Sequence, residues 1–282
     1  MNTQDSTNPL PKQTAGGADA EAAWDLRARS YGREQERRGG GHTQEVVEHL
    51  LHKGLLQNAD VLDVGGGTGR YAVPFAACAR EVTVTDISGN MLECAKENAE
   101  KAGRSNLRYQ KLDWETADLQ HLGWNRRFDL TFASMCLAVR SREGLLRMSA
   151  ASRGWCQINQ LIVMTDSIAQ RLTASLSLPT GYDPHNDRNA VESAFHILWA
   201  EGFEPEVTYL RESGRQTLSV EEAAQRYGGH FRQAAFRNGL DLSGLLQSYA
   251  ENGRIETENK TTLAMILWQA SPYSMEKQED LT

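Results

Sequence analysis

The stretch DVLDVGGGTG, residues 60–69, decides the fold. Its first half is a short apolar run typical of a buried strand, and it leads directly into a glycine cluster. The helical pattern RYAVPFAACA follows at 70–79. In open α/β sheets, ligands bind at the carboxyl ends of the strands, and glycines let the backbone pass close beneath a ligand. The stretch therefore predicts a strand, a ligand-binding loop and a helix.

The spacing of the glycines excludes two common phosphate-binding loops. Gly65, Gly67 and Gly69 form the pattern G-x-G-x-G, whereas a dinucleotide-binding loop would have its third glycine at the position of Arg70. No Gly-Lys-Ser or Gly-Lys-Thr follows, so the loop is not a P-loop either. An NAD-dependent reductase is therefore disfavoured.

Strand and helix patterns alternate along the rest of the chain. Short apolar or alternating runs predict seven strands, at 59–65, 81–87, 106–113, 128–135, 160–167, 205–211 and 262–270. Amphipathic patterns predict helices between them, at 43–54, after Ser88, at 141–153 and at 190–201. Strands joined by helices indicate βαβ units, and hence an α/β fold with a mostly parallel sheet and helices on both faces.

Acidic residues stand near the carboxyl ends of the first three predicted strands. Asp63 lies at the end of the first strand, where it can hold the loop or a ligand's ammonium group. Asp86 ends the second strand, 17 residues after Gly69, where a carboxylate can accept hydrogen bonds from both hydroxyls of a ribose. Asp113, beside Trp114, ends the third strand and is placed to contact an adenine amino group.

At these residues the sequence resembles the class I S-adenosylmethionine-dependent methyltransferases. VLDVGGGTG is similar to the first motif of that family, TDISGNML to its acidic second strand, LDW to its third motif and RFDLTFAS to its fourth-strand signature. The upstream WDLRARSYG, 24–32, resembles a segment that folds over the bound cofactor in many members acting on small molecules. Four motifs in the family's order make the resemblance specific, and it covers residues 20–212 and the last strand.

The resemblance implies a Rossmann-like fold with a seven-stranded sheet whose last strand is antiparallel. It also implies S-adenosylmethionine as cofactor and S-adenosylhomocysteine as product. The implied cofactor-binding residues are Trp24, Tyr31, Asp63, Gly65, Gly67, Asp86, Ile87, Asp113, Trp114 and Ser134. Asp63 and the two glycines would surround the methionine part of the cofactor, and Asp86 would hold its ribose. Asp113 would contact the adenine, and Ser134 would lie near the sulfonium and the substrate.

One departure from the family bears on the acceptor. Residues 134–137 read Ser-Met-Cys-Leu, which does not match the Asp/Asn/Ser-Pro-Pro-Tyr/Phe/Trp signature of methylases that act on planar amide or base nitrogens. The departure disfavours a nucleobase or an amide nitrogen as acceptor.

We expect a single methyltransferase domain over 21–272, between a disordered tail at 1–20 and a flexible tail at 273–282. Substrate-cap insertions are expected at 171–190 and 213–260, because segments that follow parallel strands overhang the ligand-binding edge of the sheet.

The two insertions hold the candidates for a catalytic base. These are Tyr182, His185 and His230, none of which a motif singles out. The second insertion also contains a capping box from Ser219 to Glu222, which predicts that a helix begins there. A helical cap over the substrate pocket is the resulting prediction.

The composition narrows the class of protein. The chain has 282 residues and a formal net charge of −7, which disfavours broad contact with nucleic-acid phosphates. Its four cysteines include no CxxC pair, so neither a disulfide framework nor a metal site is predicted. No apolar run reaches the length of about 18 residues that a membrane span needs, and the amino-terminal residues lack a signal-peptide pattern. A cytoplasmic protein is the expectation.

These observations favour a methyltransferase that acts on a small molecule. Two alternatives stay open: a methyltransferase that acts on RNA or protein, and a regulatory module that binds S-adenosylmethionine without transferring its methyl group. The accepting atom and the oligomeric state are not determined by the sequence.

Overall fold

The computed structural model describes residues 17–37 and 42–272, with side chains for 17–28 and 42–272. The described chain forms a seven-stranded sheet in the order β3-β2-β1-β4-β5-β7-β6. The strands are β1 (Asp60–Val64), β2 (Glu81–Asp86), β3 (Leu107–Lys111), β4 (Phe128–Ser134), β5 (Ser152–Asp166), β6 (Glu206–Ser219) and β7 (Arg254–Gln269). Six strands are parallel and the last is antiparallel, which confirms the predicted α/β class and the predicted direction of the final strand.

Helices surround the sheet. They are α1 (Ala18–Arg37), α2 (Thr43–His52), α3 (Ala72–Phe75), α4 (Gly89–Lys101), α5 (Arg142–Ala151), α6 (Ser167–Ser175), α7 (Arg188–Ala200), α8 (Val220–Arg237) and α9 (Leu242–Gln247). Short 3-10 turns lie at Leu137–Val139 and Pro184–Asn186. Within the described residues, no helix is both long and apolar enough to cross a membrane.

Two predicted helix starts are confirmed by their caps. The Ser88 hydroxyl accepts the Met91 N–H at 3.1 Å and begins α4. At α8, the Ser219 hydroxyl accepts the Glu222 N–H at 3.1 Å, and the Glu222 carboxylate accepts the Ser219 N–H at 2.6 Å. Each cap satisfies amide groups that would otherwise have no partner in the first helical turn.

The helix predicted at 70–79 is much shorter in the structure. Only α3, a single turn, is helical. Beyond it, the N–H groups of Ala77 and Cys78 bond to the carbonyls of Pro74 and Phe75, three residues back. The chain therefore leaves the helix through tight turns, because it must reach the start of β2 only a few residues later.

The predicted strands near the carboxyl end of the chain were too short. β5 begins at Ser152 instead of 160, and its buried residues include Gln157 and Asn159, whose polar side chains interrupt the apolar run that marks a strand. β7 begins at Arg254 instead of 262, and β6 extends to Ser219.

The expected insertion at 213–260 is consequently helical only in its middle, in α8 and α9. Near its end, Ile255 and Thr257 are buried while Arg254 and Glu256 are exposed, and this alternation is that of a strand.

The chain divides into two compact units. The first contains the described residues up to Gln160 together with Arg188–Thr208 and those from Ala264 onward. β1 is buried along its whole length in this unit. In its core, the Trp268 indole is fully buried and donates its N–H to the Ser149 hydroxyl at 2.9 Å. Phe75 and Phe132 pack edge to face, with ring centroids 4.9 Å apart.

The second unit consists of Leu161–Asp187 and Tyr209–Leu263. Its own core joins α6 to α8 and α9, through residues that include Leu172, Phe231 and Leu246. The Tyr227 hydroxyl donates to the Asp166 carboxylate at 2.7 Å. Most of both expected insertions lies in this unit, and their role as a substrate cap stays a prediction.

The expected tails fall largely outside the described residues. Residues 1–16 and 273–282 are not described. α1 begins at Ala18, so the last three residues of the expected amino-terminal tail are helical instead.

Candidate functional site

The glycine loop between β1 and α3 has a backbone that ordinary residues avoid. Gly65 and Gly67 have φ values of 65° and 57°. A Cβ on Gly65 would also lie 2.5 Å from the Sγ of Cys136, so contact as well as conformation requires glycine there. A Cβ on Gly67 would meet nothing within 4 Å, so this part of the loop borders open space. The loop can therefore receive a ligand close to its backbone.

Asp63 lies directly beneath this loop. Its side chain is 2% exposed, and its Oδ2 has no hydrogen-bond donor among the described residues. Burial, reinforced by the nearby Asp86 carboxylate, raises the pKa of Asp63 to about 7. A buried carboxylate oxygen with no partner is costly unless a donor or a cation reaches it. The geometry therefore suits a ligand with an ammonium group.

Asp86 connects the end of β2 to the glycine loop. Its Oδ2 accepts the Gly67 N–H at 3.0 Å, and its Oδ1 accepts the Ser88 N–H at 2.9 Å. Burial raises the pKa of Asp86, and the hydrogen bonds from Ser88 and Gly67 partly oppose that rise. Each carboxylate oxygen can accept a second hydrogen bond, so the pair of ribose hydroxyls expected at Asp86 can be accommodated. Ile87, the next residue, is half-buried.

A further acid, which was not predicted from the sequence, supports this region. Asp25 of α1 accepts hydrogen bonds from the Ser88 hydroxyl and from the Asn90 N–H, the latter at 3.1 Å. The hydrogen bond from Ser88 holds the pKa of Asp25 below its usual range. α1 is thereby attached to the first turn of α4, next to Asp86. A lone acid inside a helix carries no local pattern, so only the contact identifies it.

Two of the predicted cofactor-binding residues, Trp24 and Tyr31, belong to α1. Trp24 is half-buried, with the Arg27 guanidinium 5.8 Å from its ring centroid. The side chain of Tyr31 lies outside the described residues. Their contact with a cofactor stays a prediction.

Asp113 and Trp114 follow β3 but differ in environment. Asp113 is partly exposed, and its carboxylate accepts the Glu115 N–H at 3.0 Å. Trp114 is only 3% exposed, packs in the core of the first unit and donates its indole N–H to the Gly144 carbonyl at 3.2 Å. The Asp113 carboxylate is accessible to a ligand, whereas the indole ring of Trp114 serves the core.

The end of β4 lies on the other side of the glycine loop. Ser134 is its last residue, and Met135 follows with a φ of 54°, which is uncommon for a residue with a side chain. The Met135 N–H donates to the Asn159 carbonyl at 2.9 Å. Burial raises the pKa of the neighbouring Cys136 thiol to about 12, so this cysteine is no nucleophile at neutral pH.

The three candidates for a catalytic base all belong to the second unit. The Tyr182 hydroxyl donates to Asp187 at 2.6 Å, and the Nδ1 of His185 lies 3.0 Å from the Asp183 carboxylate. The His230 ring packs edge to face on Phe231. Their catalytic role stays a prediction.

An open cleft of about 700 Å³ lies elsewhere on the first unit. It is lined by residues that include Glu81, Tyr109 and Trp124. Glu81 is paired with Asp60 at the start of β1, so the cleft lies at the strand edge opposite the glycine loop. It has no part in the site described here.

Comparison with known proteins agrees with this geometry. Residues 61–154 match the family model of a methyltransferase domain. The 23S rRNA (uracil(1939)-C(5))-methyltransferase of Aeromonas salmonicida is 35% identical over 86 residues, which are 30% of this chain and 19% of that protein. The ubiquinone biosynthesis O-methyltransferase of a Bradyrhizobium strain is 24% identical over 131 residues, or 42% of this chain and 49% of that protein.

A solved structure shares the fold. The magnesium protoporphyrin IX methyltransferase of Synechocystis PCC 6803, with bound S-adenosylhomocysteine, superposes with a TM-score of 0.50 at 14% identity, covering 87% of this chain and 98% of that one. The curated relatives are matched over only part of their length, from 19% to 49% in the two compared. The segment that matches the methyltransferase-domain model contains the glycine loop, Asp63, Asp86 and Asp113, and the chain shares the fold of that solved methyltransferase.

Proposed function

We propose that this protein transfers a methyl group from S-adenosylmethionine to a small-molecule acceptor, and releases S-adenosylhomocysteine. The observation that carries the proposal is the Oδ2 of Asp63, which is buried beneath the glycine loop and receives no hydrogen bond from residues 17–37 or 42–272 as far as they are described, with Asp86 at the end of the neighbouring strand. These two acids match the ammonium group and the ribose that S-adenosylmethionine would present to them.

Each residue of the site has a defined task in this proposal. Asp63 would bind the ammonium group, Asp86 the ribose hydroxyls, and Asp113 the adenine amino group. Ser134 would lie near the reacting centre. When bound, the cofactor supplies an electrophilic methyl group on a positively charged sulfur, so the protein need not activate the donor.

The main task of the protein is therefore alignment. A nucleophile held in line with the bond that breaks can gain roughly 7–11 kcal/mol from orientation alone. The nucleophile would form its bond to the methyl carbon as the sulfur–carbon bond breaks. The electron pair of the broken bond would stay on the sulfur. A positioned base would add a further ~10²–10⁴-fold for an acceptor that must lose a proton.

A small-molecule acceptor is supported by two observations. The net charge of −7 does not suit a broad nucleic-acid interface, and the Ser-Met-Cys-Leu sequence at 134–137 differs from the signature for base and amide nitrogens. The similarity to an O-methyltransferase of ubiquinone biosynthesis agrees with this proposal. The similarity to an rRNA methyltransferase, which extends over 86 residues, favours the alternative, an RNA acceptor. A cytoplasmic location remains a prediction.

Calorimetric titration tests cofactor binding. We expect the protein to bind S-adenosylmethionine and S-adenosylhomocysteine but not NAD, and Asp63→Asn to weaken binding of both adenosyl ligands. Glu97→Gln, on the exposed face of α4, is the matched control and should bind as the wild type does. Absence of binding by the wild type would overturn the proposal.

Transfer of a labelled methyl group then identifies the acceptor class. Labelled S-adenosylmethionine is incubated with the protein and, separately, the small-molecule fraction of a cell extract, total RNA and total protein. Label in the small-molecule fraction supports the proposal. Label in RNA or protein establishes the alternative acceptor, and binding without any transfer indicates a regulatory module.

A further inference from the structure

The middle glycine of the loop, Gly66, has no role in the site described above. It stands between Gly65 and Gly67, at a position that the G-x-G-x-G pattern leaves open to any residue. Its φ is not positive, unlike the φ of each neighbour, so its backbone conformation is one that other residues adopt. A requirement for glycine at this position can therefore come only from a contact.

Gly66 lies directly against two buried side chains. A Cβ at this position would stand 2.6 Å from the Cγ1 of Val84 and 2.8 Å from the Oδ2 of Asp63. Packed atoms ordinarily lie about 3.5–4.0 Å apart, so both distances are too short. Val84 is fully buried and Asp63 is 2% exposed, so a side chain at position 66 would have to push into packed surroundings.

The backbone of Gly66 is also attached to the end of the sheet. Its N–H donates to the Thr85 carbonyl at 2.9 Å. Thr85 lies beside Val64 in the pairing of β1 with β2, and Val84 lies beside Asp63. Because this hydrogen bond holds the loop down on the two strands, a side chain at position 66 would displace the groups beneath it.

The Asp63 carboxylate is the group that can move. Val84 is β-branched, so its methyl groups are held close to the backbone of β2 and its χ1 angle is restricted. The carboxylate lies at the end of a longer side chain, and its Oδ2 receives no hydrogen bond from the part of the chain that the structure describes. No donor therefore sets the position of Oδ2, and the contact with Gly66 sets it instead.

We propose that Gly66 is a positioning residue for the cofactor, an inference that rests on the proposed methyl transfer. The absence of a side chain at position 66 lets the Asp63 carboxylate lie directly beneath the loop. There it is held where the ammonium group of S-adenosylmethionine would bind. The ammonium group would then supply the donor that Oδ2 does not receive from the described residues.

Two adenosyl ligands separate this role from a general effect on the loop. S-adenosylhomocysteine carries the ammonium group, whereas 5′-methylthioadenosine has the adenosine and the sulfur but lacks the amino-acid part. A displaced Asp63 carboxylate should weaken binding of the first ligand alone. A displaced loop should weaken binding of both, because the Gly67 N–H is bonded to Asp86, the residue proposed to hold the ribose.

Calorimetric titration of the full chain with both ligands tests the inference. We expect Gly66→Ala to bind S-adenosylhomocysteine at least about tenfold more weakly than the wild type, because hydrogen bonds to a charged group are the stronger ones. Its affinity for 5′-methylthioadenosine should stay within about twofold of the wild type, because the contacts with the adenosine are unchanged.

Gly89→Ala is the matched control. The φ of Gly89 is not positive either, and among the described residues a Cβ there would meet only the Cδ of Lys111, at 4.0 Å. This variant should bind both ligands as the wild type does.

Two further backgrounds isolate the contact with Asp63. In Asp63→Ala the carboxylate is absent, so adding Gly66→Ala should cause no further loss of affinity for S-adenosylhomocysteine. In Val84→Ala the other contact is absent, so adding Gly66→Ala should still cause the selective loss. The Val84→Ala background also serves if Gly66→Ala alone does not fold, since the Cγ1 of Val84 is the closer of the two atoms.

Several outcomes would overturn the inference. These are an unchanged affinity of Gly66→Ala for S-adenosylhomocysteine, equal losses for both ligands, or a further loss when Gly66→Ala is added to Asp63→Ala. If the wild type does not bind S-adenosylhomocysteine, the proposed function fails and the inference fails with it.

Discussion

The Gly67 amide donates to the Asp86 carboxylate at 3.0 Å, and this bond ties the glycine loop to the end of the neighbouring strand. Asp86 therefore shapes the loop, and in the proposed function it would also bind the ribose. The same carboxylate accepts the Ser88 N–H, and the Ser88 hydroxyl in turn donates to Asp25. A continuous set of hydrogen bonds thus joins the loop, β2, α4 and α1.

Replacing Asp86 with alanine should weaken binding of S-adenosylhomocysteine by about 1–3 kcal/mol, because the ribose hydroxyls and the Gly67 N–H lose a charged acceptor. Calorimetric titration of the wild type and Asp86→Ala measures the difference. Glu97→Ala, which removes an exposed carboxylate from α4, is the control for the loss of a charge. An unchanged dissociation constant for Asp86→Ala would contradict the assignment of the ribose.

The affinity for S-adenosylmethionine should rise with pH up to about 7. The pKa of Asp63 in the free protein is raised to about 7, so below that pH the carboxyl is largely protonated and cannot pair with an ammonium group. The affinity should increase by at most about tenfold per pH unit, since one proton must be released. Titrations between about pH 5 and 7 measure this, and Asp63→Asn should show a flatter profile. A wild-type profile as flat as that of the variant would refute the role of Asp63.

The same raised pKa has a consequence for stability. Folded protein holds a proton on Asp63 at pH values where the unfolded chain, with an ordinary pKa of about 4, has released it. The contribution of Asp63 to the free energy of unfolding should therefore decrease as pH rises from about 4 to 7. Denaturant unfolding of the ligand-free protein across this range should show that decrease in the wild type but not in Asp63→Asn.

Asp25→Ala should loosen the attachment of α1 and weaken cofactor binding indirectly. The Ser88 hydroxyl and the Asn90 N–H lose their acceptor, and a hydrogen bond to a charged group is worth about 1.5–3 kcal/mol before solvent screening reduces it. Hydrogen exchange should show faster exchange in α1, together with a modest rise in the dissociation constant of S-adenosylhomocysteine. Asp19→Ala, an exposed acid in the same helix, should change neither quantity. Unchanged exchange in Asp25→Ala would show that the contact does not hold the helix.

Trp114→Phe should reduce stability without changing cofactor affinity. The substitution removes the hydrogen bond to the Gly144 carbonyl and leaves space in the core, at a cost of about 1–3 kcal/mol in the free energy of unfolding. Chemical denaturation measures that cost, and calorimetry measures the affinity. A large loss of S-adenosylhomocysteine binding by stably folded Trp114→Phe would instead support the original prediction that the indole contacts the cofactor.

Much of the fold could be predicted because its signals are local. Short apolar runs around the glycine cluster identify β1, β2 and β4 to within a residue or two, and the capping residues Ser88 and Ser219 identify the start of α4 and α8. Each signal arises from neighbouring residues that satisfy each other's backbone groups or that share one face of an element. The first parts of β5 and β7, which begin at 152 and 254, lack such signals because polar or alternating residues occupy them.

The sequence by itself determined the α/β class, the glycine loop and the acids at the ends of β1, β2 and β3, because these depend on residue type and spacing along the chain. Only the tertiary structure decided the tasks of individual side chains. It brings Asp25 to Ser88, 63 positions apart, leaves one oxygen of Asp63 without a donor from the part of the chain that the structure describes, and turns the indole of Trp114 into the core. It also brings Gly66 against Val84, with no room for a Cβ between them. Contacts between distant residues arise from packing, and packing has no counterpart in the local order of the sequence.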